Sequence, residues 1–183
     1  DKFAALEKSY PGDVWDQPVR GIFAELYRLK QTHPHIKILP SIGGWTLSDP
    51  LYDVGTNPAA RAVFIDSVID FIRTYDFFDG IDIDWEFPGG GGANPALGSA
   101  QDGAGFATLM QELRAALDTL SIETGRSYEL AAAMSGGVEK LSVVDWEDAA
   151  QYMDSINLMT YDYYGAWNGV LGHQTGLYPS PNS

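Results

Sequence analysis

Apolar positions change their spacing several times along the chain, and the changes divide it into elements. Val19, Ile22, Phe23, Leu26 and Leu29 recur every three or four residues, which predicts an amphipathic helix from about Gln17 to Thr32. "IKILPSIGG" follows and reads as a strand ending in a glycine turn. Asn57 and Pro58 form a cap and first-turn pair, and Val63, Phe64, Val68, Phe71, Ile72 and Tyr75 carry a second helical stripe. In "GIDIDWEF" polar and apolar residues alternate, the period of a second strand. Pro88 to Gly103 has the composition of a loop, and its length points to a function beyond connection. Phe106, Leu109, Met110, Leu113, Leu117 and Leu120 mark a third helix ended near Gly125. "YELAAAMS" predicts a third strand, "SVVDWEDAAQYM" a short helix and "SINLMTYDYY" a fourth strand.

Helices alternating with strands, joined by stretches too long for hairpins, imply a parallel α/β sheet. At 183 residues an open, doubly wound sheet of four or five strands fits, whereas a (β/α)8 barrel takes about 250. Length alone therefore favours the open sheet. A hydrophobic share of 45% with 20% charged residues is a globular balance. The net charge of −14 repels nucleic acid and anionic membrane, so a neutral partner is expected. With no cysteine there is neither a disulfide framework nor a thiolate metal site, and the redox compartment stays open. No apolar run reaches 18 residues. The opening "DKFAALEKSY" resembles neither a translation start nor an export signal, so the chain is expected to be a piece of something longer.

The alternating stretch "DGIDIDWE", Asp79 to Glu86, holds four acids among Ile and Trp. As a helix it would place Asp84 nearly opposite Asp82 and Glu86. As a strand it sends Asp82, Asp84 and Glu86 to one face, with neighbours roughly 6.7 Å apart, and Ile81, Ile83 and Trp85 to the other. The apolar face packs under helices, and the acidic face looks across the opposite side of the sheet. Carboxylates this close raise one another's pKa, so at least one is expected to keep a proton near neutrality. A carboxylic acid at a strand end is equipped for general acid catalysis. Asp79 has the opposite parity and is expected to be structural, fixing the strand's entry.

Other readings compete. Solvated charges at a strand end would not need the interleaved Ile and Trp. A calcium loop counted from Asp82 would want Gly and Glu where Phe87 and Ala93 stand. The pair Asp82 and Asp84 could hold Mg2+ beside a nucleotide-sugar phosphate, but no phosphate loop or basic cluster accompanies it. "AMSGG" imitates a serine-hydrolase elbow, with Ser135 as nucleophile and His173 as a distant base, yet two glycines follow where a helix should start. His33 and His35 read as surface residues, and the glycine run at 89–92 lacks the Gly-Lys-Ser/Thr of a phosphate loop and reads as a flexible loop over the cleft.

Asp79-Gly-Ile-Asp82-Ile-Asp84-Trp-Glu86 resembles, without a departure, the signature of the family 18 glycoside hydrolases, the chitinases. Ser41-Ile-Gly43-Gly44 resembles the family's second signature and Met159-Thr-Tyr161-Asp162 its third. "WEFPGGGGANPALGSAQDG" and "GAWNGVLGHQT" look like the secreted bacterial chitinase A type. The resemblance implies part of a (β/α)8 TIM barrel, with about four of eight strands present, roughly the third to the sixth, across residues 1–183 as a partial catalytic domain. It also implies that the chain alone is inactive, because a half barrel exposes two sheet edges and an apolar inner face.

By the same resemblance the reaction is hydrolysis of β-1,4 bonds between N-acetylglucosamine units, retaining and substrate-assisted, with no cofactor and no metal. Glu86 would protonate the glycosidic oxygen, Asp84 would bind the acetamide N–H and Glu86, and Asp82 would share a proton with Asp84. Tyr161 would donate to the acetamido oxygen, Asp162 would bind sugar, and Met159 would line the acetamido pocket. Trp45 and Trp167 lie beyond strand ends as stacking platforms, while Trp85 and Trp146 belong to packing. Implied partners are chitin and chito-oligosaccharides, with no nucleic acid and no membrane, and the complete protein would be a secreted monomer. Two alternatives use the same barrel: a non-catalytic chitin-binding lectin, which would lack the acid that Glu86 supplies, and an endo-N-acetylglucosaminidase.

Overall fold

The computed structural model describes residues 2–178. Strands β1 (Ser41–Gly43), β2 (Gly80–Asp84), β3 (Glu129–Ser135) and β4 (Ser155–Met159) pair in chain order as one parallel sheet. Helices α1 (Lys2–Leu6) and α2 (Gly21–Thr32) precede it. Between β1 and β2 run α3 (Asp49–Thr56) and α4 (Pro58–Thr74), and between β2 and β3 runs α5 (Asp102–Thr124). Two short helices, α6 (Val138–Leu141) and α7 (Trp146–Ala149), and a 3-10 turn at Ala150–Tyr152 lead to β4. The order β1-β2-β3-β4 never reverses, as in a barrel wall, whereas a doubly wound sheet changes direction at a switch point. The open-sheet expectation drawn from length is thereby corrected. Among the described residues, no helix is long and apolar enough to cross a membrane.

Local chemistry sets the element ends. The Asn57 side chain accepts from the N–H groups of Ala59 (3.0 Å) and Ala60 (3.4 Å), and Pro58 occupies the first turn of α4. Gly125, at φ 69°, closes α5 in the left-handed conformation. The first predicted helix begins later than expected, at Gly21, because Arg20 before it is extended, at φ −121° and ψ 179°. The predicted first strand contracts to Ser41–Gly43, since Pro40 has no N–H to give the ladder. Helix α3 is an element the hydrophobic pattern did not announce; eight residues are too few to display a stripe.

The sheet's helix side forms the core. Ile81, Ile83 and Trp85 of the β2 segment, with Leu130, Ala132 and Met134 of β3, pack with Phe106, Leu109, Met110, Leu113 and Leu117 of α5 in one fully buried cluster. Trp85 meets Tyr52 of α3 edge to face at 5.3 Å. Gly55 lies under the indole, where a Cβ would run into the ring. Trp146 is half-buried, donates to the Leu141 carbonyl at 2.7 Å and packs on Phe106. Both assignments of Trp to packing hold.

Asp79 takes the structural role expected from its parity. It accepts from Lys30 Nζ at 2.8 and 2.7 Å and from the Ile38 N–H at 2.9 Å, tying α2 and the segment before β1 to the start of β2. Both partners are largely buried. Asp79→Asn keeps the shape and strands the Lys30 charge, so it is expected to destabilise the fold by about 3–5 kcal/mol. Chemical denaturation checks this, and an unchanged unfolding midpoint would refute it.

Candidate active site

The two-residue period of β2 decides the site. Ile81, Ile83 and Trp85 are fully buried, while Asp82, Asp84 and Glu86 are half-buried on the other face. The strand reading of "DGIDIDWE" holds for Gly80–Asp84, and Trp85 and Glu86 just past the strand end keep its alternation of burial. Ladder pairing joins Ser41 to Asp82 and Gly43 to Asp84 and stops there. Gly43, at φ 117°, allows the two backbones to touch: a Cβ there would overlap the Asp84 carbonyl oxygen. The Gly44 N–H then donates to that same oxygen at 2.7 Å. These glycines bring β1 against the acids and bind nothing with side chains of their own.

Each acid has a distinct setting. Asp82 accepts from the Ser41 hydroxyl at 2.7 Å and from Asn157 Nδ2 at 3.4 Å. Asn157 stands on β4 and reaches over β3, whose residues on that face are Ala131 and Ala133, too small to block it. Asp84 has one oxygen, Oδ1, buried with no hydrogen-bond partner among the described residues. Burial, then the charge of Asp82, pushes its pKa up. Glu86 is also pushed up, by burial first and then by the charges of Asp84 and Asp162, against a lowering hydrogen bond from the Trp45 backbone. The peptide bond between Glu86 and Phe87 is cis.

The residues named after β1 and β4 gather at the same end of the sheet, because the strands are parallel. Trp45 follows β1, is 53% exposed and meets the Phe87 ring edge-on at 6.4 Å. Asp162, at φ 58°, is close enough to act on Glu86 and accepts from Gln174 Nε2 at 2.8 Å. Met159 ends β4 two residues beyond Asn157, which puts it on the acids' face. Tyr161 and Trp167 lie further on, half and two-thirds exposed. Among the described residues, no group of three or more His, Asp or Glu side chains is arranged to hold a metal ion.

The glycine run departs from the flexible loop expected. Asp102, buried at the start of α5, accepts from the N–H groups of Gly89 (3.0 Å) and Ser99 (2.8 Å) and from the Ser99 hydroxyl (2.6 Å). Lys140 donates to the Gly90 carbonyl at 2.7 Å and sits over the Phe87 ring. A carboxylate and an ammonium on either side thus fasten the loop to α5 and α6. Sequence reading missed Asn157, whose one available signal was its alternation with Met159. It also missed Ser48 and Tyr52, which touch the backbone after β2.

Comparison with known proteins gives this geometry a context. The profile of Glycosyl hydrolases family 18 matches residues 2–183. A chitinase A of Pseudoalteromonas piscicida is 55% identical over 97% of this chain and 22% of its own length. A chitinase of Autographa californica nuclear polyhedrosis virus is 50% identical over 100% of this chain and 34% of its own. The chain therefore spans between a fifth and about a third of these relatives. Among solved structures, a Bacillus thuringiensis chitinase superposes with a TM-score of 0.89 at 36% identity, covering 100% of this chain and 30% of that one. The catalytic domain of the psychrophilic chitinase B from Arthrobacter TAD20 gives 0.90 at 31% identity, covering 99% and 48%. The four-stranded sheet is accordingly part of a (β/α)8 barrel, and the chain belongs to glycosyl hydrolases family 18.

Proposed function

We propose that the full protein containing this chain hydrolyses the β-1,4 bonds of chitin and chito-oligosaccharides by a retaining, substrate-assisted route. The observation that carries the reading is Asp84: a buried carboxylate oxygen without a hydrogen-bond partner among the described residues, set between Asp82 and a Glu86 whose pKa burial pushes up. Such an oxygen suits the N–H of an N-acetyl group, which would leave it satisfied and the acetamido carbonyl oriented. Glu86 is the general acid. It protonates the glycosidic oxygen as the C1–O bond breaks and the acetamido oxygen attacks C1 from the opposite face; water then adds to the oxazolinium ion from the face the leaving group vacated and gives its proton back to Glu86, so the configuration is retained. No cofactor takes part.

Asp84 turns between Asp82 and Glu86 as the charge moves and shares a proton with Asp82, whose carboxylate is steadied by Ser41 and Asn157. Tyr161 donates to the acetamido oxygen, Met159 lines that pocket, and Asp162 binds sugar beside the cut. Trp45 and Trp167 offer flat apolar faces to neighbouring pyranose rings, and their exposure at the strand ends supports this. Residues 1–183 form a partial catalytic domain, strands three to six of eight, and the complete protein works as a secreted monomer. The net charge of −14 fits a neutral polymer better than nucleic acid or membrane. A chitin-binding lectin would have no use for a half-buried acid at position 86.

The test is stereochemical. Proton NMR of the first products from chito-oligosaccharides is expected to show the β-anomer, with α appearing only through mutarotation. An α-anomer formed first would mean inversion and would overturn the mechanism.

A further inference from the structure

Ser48 immediately precedes α3, at the position where a serine normally accepts from the helix's own first N–H groups. It makes no such cap. Its hydroxyl is 2% exposed and turns instead toward the end of β2. There it accepts from the Glu86 N–H at 2.9 Å and shares its single hydrogen between the carbonyls of Gly44 (2.8 Å) and Asp84 (3.1 Å).

The geometry explains why that position matters. Ladder pairing ends at Asp84, so Glu86 lies two residues past the last β1 partner, where the sheet no longer fixes the backbone. A buried N–H there must find an acceptor elsewhere. One hydroxyl supplies it and bridges the peptide groups on both sides of Trp85, locking Asp84 and Glu86 in a fixed relation. The following residue is held by a second hydroxyl: that of Tyr52 donates to the Phe87 carbonyl at 3.1 Å and accepts from the Phe87 N–H at 3.2 Å.

We infer that Ser48 is a positioning residue for the reaction, acting through the backbone of Glu86 to hold its carboxyl at the distance and angle that proton delivery requires. The inference rests on Glu86 being the acid. Displacement of a reacting group by about 1 Å can cost on the order of 10²-fold in rate.

In the full protein, Ser48→Ala is expected to lower kcat about 10- to 100-fold, with KM for soluble chito-oligosaccharides nearly unchanged. As the carboxyl leaves its buried position, the alkaline limb of the kcat profile is expected to move to lower pH. Ser48→Thr keeps the hydroxyl and is expected to recover most of the rate. If the alanine variant does not fold, Ser48→Cys fills the space with a weak donor and acceptor and carries the same test. Unchanged kcat and pH limb overturn the inference, as does a loss that follows the unfolding temperature, leaves the limb in place and is not recovered by threonine. Glu86→Gln run in parallel separates the two readings: full activity there removes the acid itself, whereas an inactive glutamine variant beside an unaffected Ser48→Ala removes only the positioning role.

Discussion

Glu86→Gln in the full protein is expected to reduce kcat by about 10²- to 10⁴-fold while the Kd for chito-oligosaccharides stays nearly the same. The amide has the size of the acid but no proton to give. The residues proposed to hold sugar, Trp45, Asp162 and Trp167, are untouched, so binding persists without cleavage. Glu86 is held two residues beyond the ladder and half-buried, and burial raises its pKa ahead of the charges of Asp84 and Asp162. That environment lets a carboxyl keep its proton at a pH where an exposed glutamate would have lost it. Steady-state kinetics with calorimetric binding on the same variant decides the matter; retained turnover would sink the assignment of the acid.

Asp84→Asn is expected to cost a comparable factor and also to move the pH profile. The sign follows from the environment of Glu86. The negative charge of Asp84 helps to keep Glu86 protonated, so removing it lowers the Glu86 pKa. The acid then gives up its proton at lower pH, and the alkaline limb of the profile shifts toward acid. Asparagine also cannot take up or pass on a proton between its neighbours, so the rate at the optimum falls as well. The profile of kcat against pH for parent and variant is the measurement. A limb that stays where it was would show that the three carboxyls do not act as one electrostatic unit, whatever happens to the rate.

Much of this site was legible in the order of the residues. Alternation in "GIDIDWE" assigned Asp82, Asp84 and Glu86 to one face and Ile81, Ile83 and Trp85 to the other, and the burial pattern of the strand follows it residue by residue. Asp79 was separated from the acids on parity alone, and it pairs with Lys30. Asn57 with Pro58 and the lone Gly125 announced where α4 starts and α5 ends. Other parts were hidden because they depend on contacts between distant segments. Ser41, Asn157 and Ser48 lie 41, 75 and 38 residues from the groups they bond, and no local pattern marks such partners. Ser48 was the most deceptive, standing at a helix start where its type suggests a cap.

The sequence by itself determined the local rules: which residues alternate, where α4 begins and α5 ends, that the strands are parallel, and that three acids share a face. Those properties depend on neighbours a few positions away, and the covalent chain fixes that spacing. Only the tertiary structure decided the rest. It orders the strands without reversal, pins the glycine run through Asp102 and Lys140, leaves Asp84 Oδ1 without a partner among the described residues and turns the Ser48 hydroxyl onto the backbone of Glu86. The reason is physical: desolvation and hydrogen-bond satisfaction are set by everything that packs around a group, and a one-dimensional pattern records only which group is there.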